Sequence, residues 1–360
     1  MMPKPDAAPR NVSKRKIQAK KPATMAQIAV ACGVSRASVS YVLNNVAEEQ
    51  GIPADTAGRI LKAARKLGYR PNDAARATKT GRTRTLALFT PPLRFESNIL
   101  VMQGAALAAN ATGYQLKYIP VPAEGSDAAE LIAQCRERLI GGAICLNLPR
   151  PLLDELHANA SESDFLLAQV GDEFPELGDL SVVTDHSIGT RQVIDHLVAL
   201  GHQRIALLIN NPDYSTSAMR LAGFEQALAT HGISTPSCYR RTTYFEADSI
   251  SREVKALLAL KRRPTAIVCD TDPVALTALH TVIAAGLRVP EDISVTGYVN
   301  LPFGEFTQPR LTSVEIPNEE LGRQVARQLI ARLENREPEP VSVPEQRLIV
   351  RESCGPAAAE

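Results

Sequence analysis

From Thr85 to about residue 350, short apolar runs of strand length alternate with longer runs of helical period. Strand candidates are Thr85–Phe89, Tyr114–Val121, Gly142–Leu146, Phe165–Val170, Ser181–Thr184, Arg204–Ile209, Tyr239–Phe245, Thr265–Cys269, Ile293–Gly297 and Gln346–Val350. Between most of them lie Asn98–Ala111, Asp127–Leu139, Ile188–Leu200, Ser217–His231, Asp248–Leu260 and Pro273–Ala285, with Asn318–Leu333 as a further helix. Several of these helices are followed by a Gly suited to a left-handed cap (Gly113, Gly201, Gly232, Gly286). A strand that is followed by a helix and then another strand returns parallel to the first, so the pattern dictates parallel sheets covered by helices on both faces. The stretch is too long for one open sheet of ordinary size, which predicts two doubly wound subdomains.

The N-terminal part is different. The whole chain carries 40 Lys+Arg against 39 Asp+Glu, a net of +1. Residues 1–84 hold 17 basic and five acidic side chains, a net of +12, and residues 85–360 a net of −11. Such a split points to a polyanion partner for the basic part. Other classes fall away. The 44% apolar content suits a globular chain, no apolar run reaches the length of a membrane span, and the N-terminus lacks the apolar core of a secretory signal. The six Cys (32, 135, 145, 238, 269, 354) include no close pair, which fits a reduced cytoplasm and offers no zinc pattern.

Residues 1–22 read as a disordered basic tail. After them, Thr24 and Gln27 form a capping box, and Met25, Ile28, Ala29 and Cys32 share one helical face. Gly33 stops that helix and Ser35 can cap the next at once. There Val39, Val42 and Leu43 face inward, leaving Arg36, Ala37, Ser38 and Tyr41 outside. A third helix begins near Pro53, with Ala57, Ile60, Leu61, Ala64 and Leu67 as its stripe. Helix, tight turn, helix is the arrangement that places a second helix in the DNA major groove. The pattern alone fits equally a generic three-helix bundle with a solvated basic face.

Thr24–Asn44, TMAQIAVACGVSRASVSYVLN, resembles the headpiece of the LacI/GalR (lac repressor/purine repressor) family. Leu67-Gly68-Tyr69-Arg70-Pro71-Asn72 is similar to that family's join to its hinge helix. Further similar motifs run from Asp185 through Gly232, at Val289–Tyr298, and at Pro309-Arg310-Leu311-Thr312. The resemblance covers about residues 24–352. It implies a headpiece at 23–70, a hinge helix and linker at 71–84, and a periplasmic-binding-protein-like core at 85–355. The core is expected to divide into 85–183 with 299–315, and 184–298 with 316–355.

By this resemblance Arg36, Ala37 and Tyr41 choose bases, while Thr24, Ser35, Ser38, Asn44 and Tyr69 contact phosphates or cap helices. Asn72 caps the hinge helix, where Arg76 and Lys79 meet phosphates. Thr78 stands where the family carries a Leu that wedges between base pairs, so weaker kinking is expected. In the core, Arg220 matches an effector-binding Arg. Thr271 and Asp272 stand where the family has Asn-Asp, and Val299 stands where it has an Asp that holds ligand hydroxyls. Thr90, Phe95 and Tyr214 are added by loop position. Plainer roles remain open: a surface ion pair for Arg220, a helix cap for Asp272, and structural roles for His186, His196 and His202, whose spacing is no metal pattern.

The chain lacks G-x-S-x-G, P-loop, H-E-x-x-H and C-x-x-C motifs. The expected function is therefore that of a cytoplasmic, homodimeric, non-enzymatic repressor without cofactor or metal. It would bind a pseudopalindromic DNA operator under control of a small molecule, with Val299 arguing against a sugar. The alternatives are a relative with a non-sugar effector or none, or a solute-binding protein, which the basic headpiece opposes.

Overall fold

The computed structural model describes residues 23–43, 46–69, 83–92, 96–122, 125–171, 180–210, 215–244 and 246–358. The chain divides into two units, one through Ala75 and one from Arg76 onward.

The first unit contains helices α1 (Met25–Cys32), α2 (Arg36–Leu43) and α3 (Ala54–Leu67). The capping box at Thr24 is formed: its hydroxyl accepts from Gln27 N, and the Gln27 side chain accepts from Thr24 N at 2.8 Å. Gly33 adopts φ +66, which a Cβ would strain, and the next helix departs at 109°. The two helices thereby expose different faces while Ile28, Val39, Val42, Ile60 and Ala64 meet in one small core. The α3 stripe is narrower than expected, since Leu61 and Leu67 are exposed.

The second unit holds two sheets. The first, ordered β2-β1-β3-β4-β5, comprises β1 (Thr85–Thr90), β2 (Gln115–Pro120), β3 (Gly142–Leu146), β4 (Leu166–Val170) and β5 (Leu180–Val182), all parallel. The second is ordered β11-β10-β9-β8-β6-β7. Its strands are β6 (Ile205–Asn210), β7 (Arg240–Thr243), β8 (Ala266–Cys269), β9 (Ser294–Val299), β10 (Thr312–Glu315) and the antiparallel edge β11 (Arg347–Ile349). The interleaved helices are α4 (Glu96–Ala111), α5 (Ala128–Glu137), α6 (Arg150–Ser161), α7 (His186–Ala199), α8 (Ser215–Thr230), α9 (Ala247–Leu258), α10 (Asp272–Ala284) and α11 (Asn318–Leu333). Alternate residues feed opposite faces: Leu86 and Leu88 join one cluster, Ala87 and Phe89 another. Helix α6 and strand β10 are additions to the expected elements.

The expected division of the core needs correction. Residues 312–315 belong to the second sheet, with Ser313 opposite Gly297 of β9. Helix α11 belongs to the first subdomain, where it packs on α4 and on β3, β4 and β5. The cause is a contact between small residues. A Cβ on Gly104 would collide with the Glu319 carbonyl, and one on Gly322 with the Val101 carbonyl, so α4 and α11 touch backbone to backbone. The chain therefore crosses between the subdomains three times, at 183–185, 316–317 and 334–346.

Gly322→Val should lower core stability by about 2–3 kcal/mol by overpacking this contact, read as a shift of the urea midpoint. An unchanged midpoint would show that the two helices are not in backbone contact.

Candidate nucleic-acid interface and ligand cleft

In the headpiece, Ser35 closes the start of α2: its Oγ accepts from Ser38 N at 3.0 Å and lies 2.9 Å from Ser38 Oγ. Both hydroxyls thus already have partners in capping. Arg36, Ala37 and Tyr41 are exposed on the outer face of α2, Tyr41 at 39%. Buried Val39 and Val42 orient that face. Tyr69 is half-buried, its side chain packed on the headpiece core. Asn44, Asn72, Arg76, Thr78 and Lys79 lie outside the described residues.

In the core, the C-terminal ends of strands from both sheets converge on one cleft. Leu146 and Asn147 reach it from β3, Val170 from β4, Asn210 from β6, Asp270 from β8 and Val299 from β9. Parallel strands bring their carboxyl ends to one edge, where ligands of such sheets bind.

Arg220 of α8 is buried in the cleft wall at 6% exposure. Its Nη1 donates to the Asp270 carbonyl at 2.5 Å, and its guanidinium lies 4.2 Å from the Tyr298 ring centroid. Nη2 stands 3.4 Å from His186 Nδ1, which must accept because a guanidinium only donates. Burial, then the neighbouring Arg220, push the His186 pKa well below its ordinary value, so the ring is neutral. Arg220 is therefore not a surface ion-pair residue. Its Nε has no partner.

Asp270 faces the same place. Its Oδ2 accepts from Asn210 N at 2.8 Å and from Ser217 Oγ at 3.4 Å, while Oδ1 has no partner. Burial pushes its pKa up to about 6, although Arg220 and these donors pull it down. Asn210 Oδ1, Thr271 Oγ1 and Asn318 Nδ2 are also buried without partners in the cleft wall. Buried polar atoms are seldom left unpaired, so such a group marks a place for a ligand or ordered water.

The structure sorts the expected cleft residues. Arg220, Thr271 and Val299 line the cleft. Asp272 does not: it is fully buried at the start of α10, where its Oδ2 accepts from Leu301 N and its Oδ1 from Ser313 Oγ. It makes no cap for its own helix either. Thr90 is buried behind Asn98, whose Nδ2 donates to its hydroxyl at 3.4 Å. Phe95 and Tyr214 lie outside the described residues. Sequence reasoning missed Asp270, Asn210, Asn147 and the contact of His186 with Arg220. A polar residue at or just past the carboxyl end of a parallel strand was the available signal for the first three.

His202 takes a structural role. Its ring contacts Thr265 Oγ1 at 2.9 Å, Ser294 Oγ at 3.1 Å and Gly355 O at 3.0 Å. Among the described residues no group of three His, Cys, Asp or Glu could hold a metal, and no single helix is long and apolar enough to cross a membrane.

Comparison with known proteins bears on both sites. Residues 24–72 match the model for bacterial regulatory proteins of the lacI family, and residues 194–354 match a periplasmic binding protein-like domain. The HTH-type transcriptional regulator CelR of Thermobifida fusca is 32% identical over 342 residues, 92% of this chain and 98% of its own. The chain belongs to the lacI family. Two solved structures of similar proteins span nearly the same length. A CelR–cellobiose complex is 28% identical with TM-score 0.67, over 92% of this chain and 99% of its own. A lac repressor dimer bound to operator and the anti-inducer ONPF is 25% identical with TM-score 0.73, over 93% and 100%. As a lacI-family member this protein is a DNA-binding transcriptional regulator, with a helix-turn-helix unit followed by a periplasmic-binding-protein-like core.

Asp270 and Asp272 are both pushed up to about 6 by burial, from an ordinary value of 3.8. The folded chain therefore binds more protons than the unfolded one between these values. The stability they contribute is complete below about pH 4 and lost as pH rises through about 6. Asp270→Asn should reduce that loss by on the order of 1–3 kcal/mol, measured by chemical unfolding at about pH 4.5 and 6.5. An unchanged slope would place the titration elsewhere.

Proposed function

We propose that the protein is a ligand-controlled repressor that binds a pseudopalindromic operator as a homodimer. Arg36, Ala37 and Tyr41 read bases in the major groove. Arg36 can make a bidentate contact to guanine, Tyr41 a hydrogen bond, and Ala37 only an apolar contact with a thymine methyl. The hinge residues Asn72, Arg76, Thr78 and Lys79 complete the reading, with Thr78 a weaker wedge than Leu. Lac repressor, solved as a dimer on its operator, supports the two-fold arrangement. A cytoplasmic location follows from this role.

The observation that carries ligand control is the cleft itself. It lies between two sheets joined by three crossovers, and residues that carry unpaired buried polar atoms line it. A ligand that satisfies Arg220, Asp270 and Thr271 binds one relation of the subdomains better than another. It shifts operator affinity by that difference alone, and the operator shifts ligand affinity by the same factor.

Genome-wide mapping of binding sites supplies the operator for a direct test. On that operator Arg36→Ala should cost about 1–3 kcal/mol and relax preference at one base pair of each half-site, read by competition binding at fixed salt. An equal loss on every sequence would reduce Arg36 to a phosphate contact. Arg220→Met should abolish the response to ligand, read as the ratio of operator affinity with and without ligand. A retained response would remove the cleft from the mechanism.

A further inference from the structure

The turn that ends β9 is built to an unusual degree. Val299 has φ +105 and Asn300 φ +56. Positive φ is rare for any side chain and an outlier for a β-branched one. It persists only where its surroundings impose it. Here they do. Leu301 N donates to Asp272 Oδ2, and Ser313 Oγ donates to Asp272 Oδ1 while accepting from Asn300 N at 3.0 Å. Arg351 Nη2 donates to Asn300 Oδ1 at 2.8 Å. Gly297 leaves room for this clasp, since a Cβ there would collide with the Asp272 carboxylate.

The clasp turns two aliphatic side chains, Val299 and Leu301, into the cleft, where Ile316, Leu321, Val101 and Val170 extend the same surface. The unpaired polar atoms stand apart from it by element. Asn210 Oδ1 comes from β6, Arg220 Nε from α8, and Asp270 Oδ1 and Thr271 Oγ1 from the turn after β8, all in the second subdomain with β9 itself. On the first-subdomain side Asn147 donates to Asn98 at 2.7 Å and Asn98 to Thr90, leaving Asn318 Nδ2 as the one unpaired buried side-chain atom there among the described cleft residues.

We propose that Val299 and Leu301, held by the Asp272–Ser313 clasp, determine specificity: the cleft takes a neutral molecule with one hydrogen-bonding end and a hydrocarbon body. The inference rests on the reading of this cleft as the effector site. The polar end must both donate, to Asp270 and Asn210, and accept, from Arg220. A carboxamide does both. The Arg220 guanidinium and the Asp270 carboxylate offset one another, so the end needs no net charge. A polyol carries hydroxyls around its whole perimeter, and those against Val299, Leu301, Ile316 and Leu321 would be buried unpaired.

Cyclohexanecarboxamide and glucose test this, because both present a six-membered ring and differ in what surrounds it. Cellobiose serves as a larger sugar. Binding of each to the full-length protein is measured by calorimetry and by ligand-observed NMR. The amide is expected to bind at least ~10-fold more tightly than either sugar, a margin that a few unpaired hydroxyls account for. Val299→Asp, which suits positive φ better than Val, and the near-isosteric Val299→Thr should each shrink that ratio. The ratio between ligands, unlike the affinity for one, does not move with a merely damaged fold. Tighter binding of a sugar, binding of neither class, or an unchanged ratio in both variants would overturn the proposal. Operator binding separates it from the reading beneath. Amide binding that leaves operator affinity unmoved refutes control through the cleft and spares the ligand class. An operator response to glucose or cellobiose does the reverse.

Discussion

A guanidinium buried to 6% exposure needs partners, and those of Arg220, present for all but its Nε, tie the core together. Its partners come from separate parts of the chain: the Asp270 carbonyl after β8, the His186 ring at the head of α7, and the Tyr298 face in β9. The single Tyr298 O–H proton is shared between the His186 carbonyl, 2.8 Å away, and Gln346 Oε1, and Gln346 Nε2 donates to Thr184 at 3.1 Å. Thr184 and Gln346 lie in two of the three crossovers. A ligand that engages Arg220 therefore touches a continuous set of hydrogen bonds ending in the segments about which the subdomains would turn. Of this set Thr184, His186 and Arg220 line the cleft.

The cleft wall holds buried polar atoms that the fold itself does not pair. Asp270, Asn210, Thr271 and Arg220 each keep one buried polar atom unpaired. Each such group costs about 1–3 kcal/mol when left unsatisfied. Pairing them all within the fold would stabilise the core and remove its reason to bind anything. The strained turn at Val299 is a second such cost, of about 1–3 kcal/mol. Both lie at the carboxyl edge of the sheets. The opposite edge is closed by ordinary means, as where His202 joins Thr265, Ser294 and Gly355.

The alternation from Thr85 made the parallel sheets and nearly every helix readable, because strands buried on both faces leave an unmistakable apolar run. Helix α6 was hidden by Pro149 and Pro151, which read as loop although Pro is welcome in a first helical turn. Strand β10, four residues long, was too short to show a period. The membership of α11 was invisible for another reason: periodicity reports which face a helix buries, not against which sheet. Only the meeting of Gly104 with Glu319 and of Gly322 with Val101 decides that. In the cleft, Arg220, Thr271 and Val299 were legible from motif position. Asp272 was not, because neighbouring residues at a strand–helix junction point in different directions. Thr271 faces the cleft, while Asp272 turns under the sheet to hold residues 299–301.

The charge split, too, is finer than its two halves suggest. Between residues 23 and 69 the basic side chains are Arg36, Arg59, Lys62, Arg65 and Lys66, against Glu48, Glu49 and Asp55, a net of only +2. The other twelve basic side chains of the first 84 residues, with Asp6 and Asp73 a net of +10, flank this folded headpiece in residues 1–22 and 70–84. Non-specific attraction to a polyanion scales with the phosphates neutralised and weakens steeply with salt. Choice among base pairs depends on hydrogen bonds and fit at a few positions. On the proposed reading the two reside largely in different segments, with the hinge residues adding to both. Added salt, on that reading, lowers affinity for all DNA through the flanks and leaves the discrimination by Arg36, Ala37 and Tyr41 nearly unchanged.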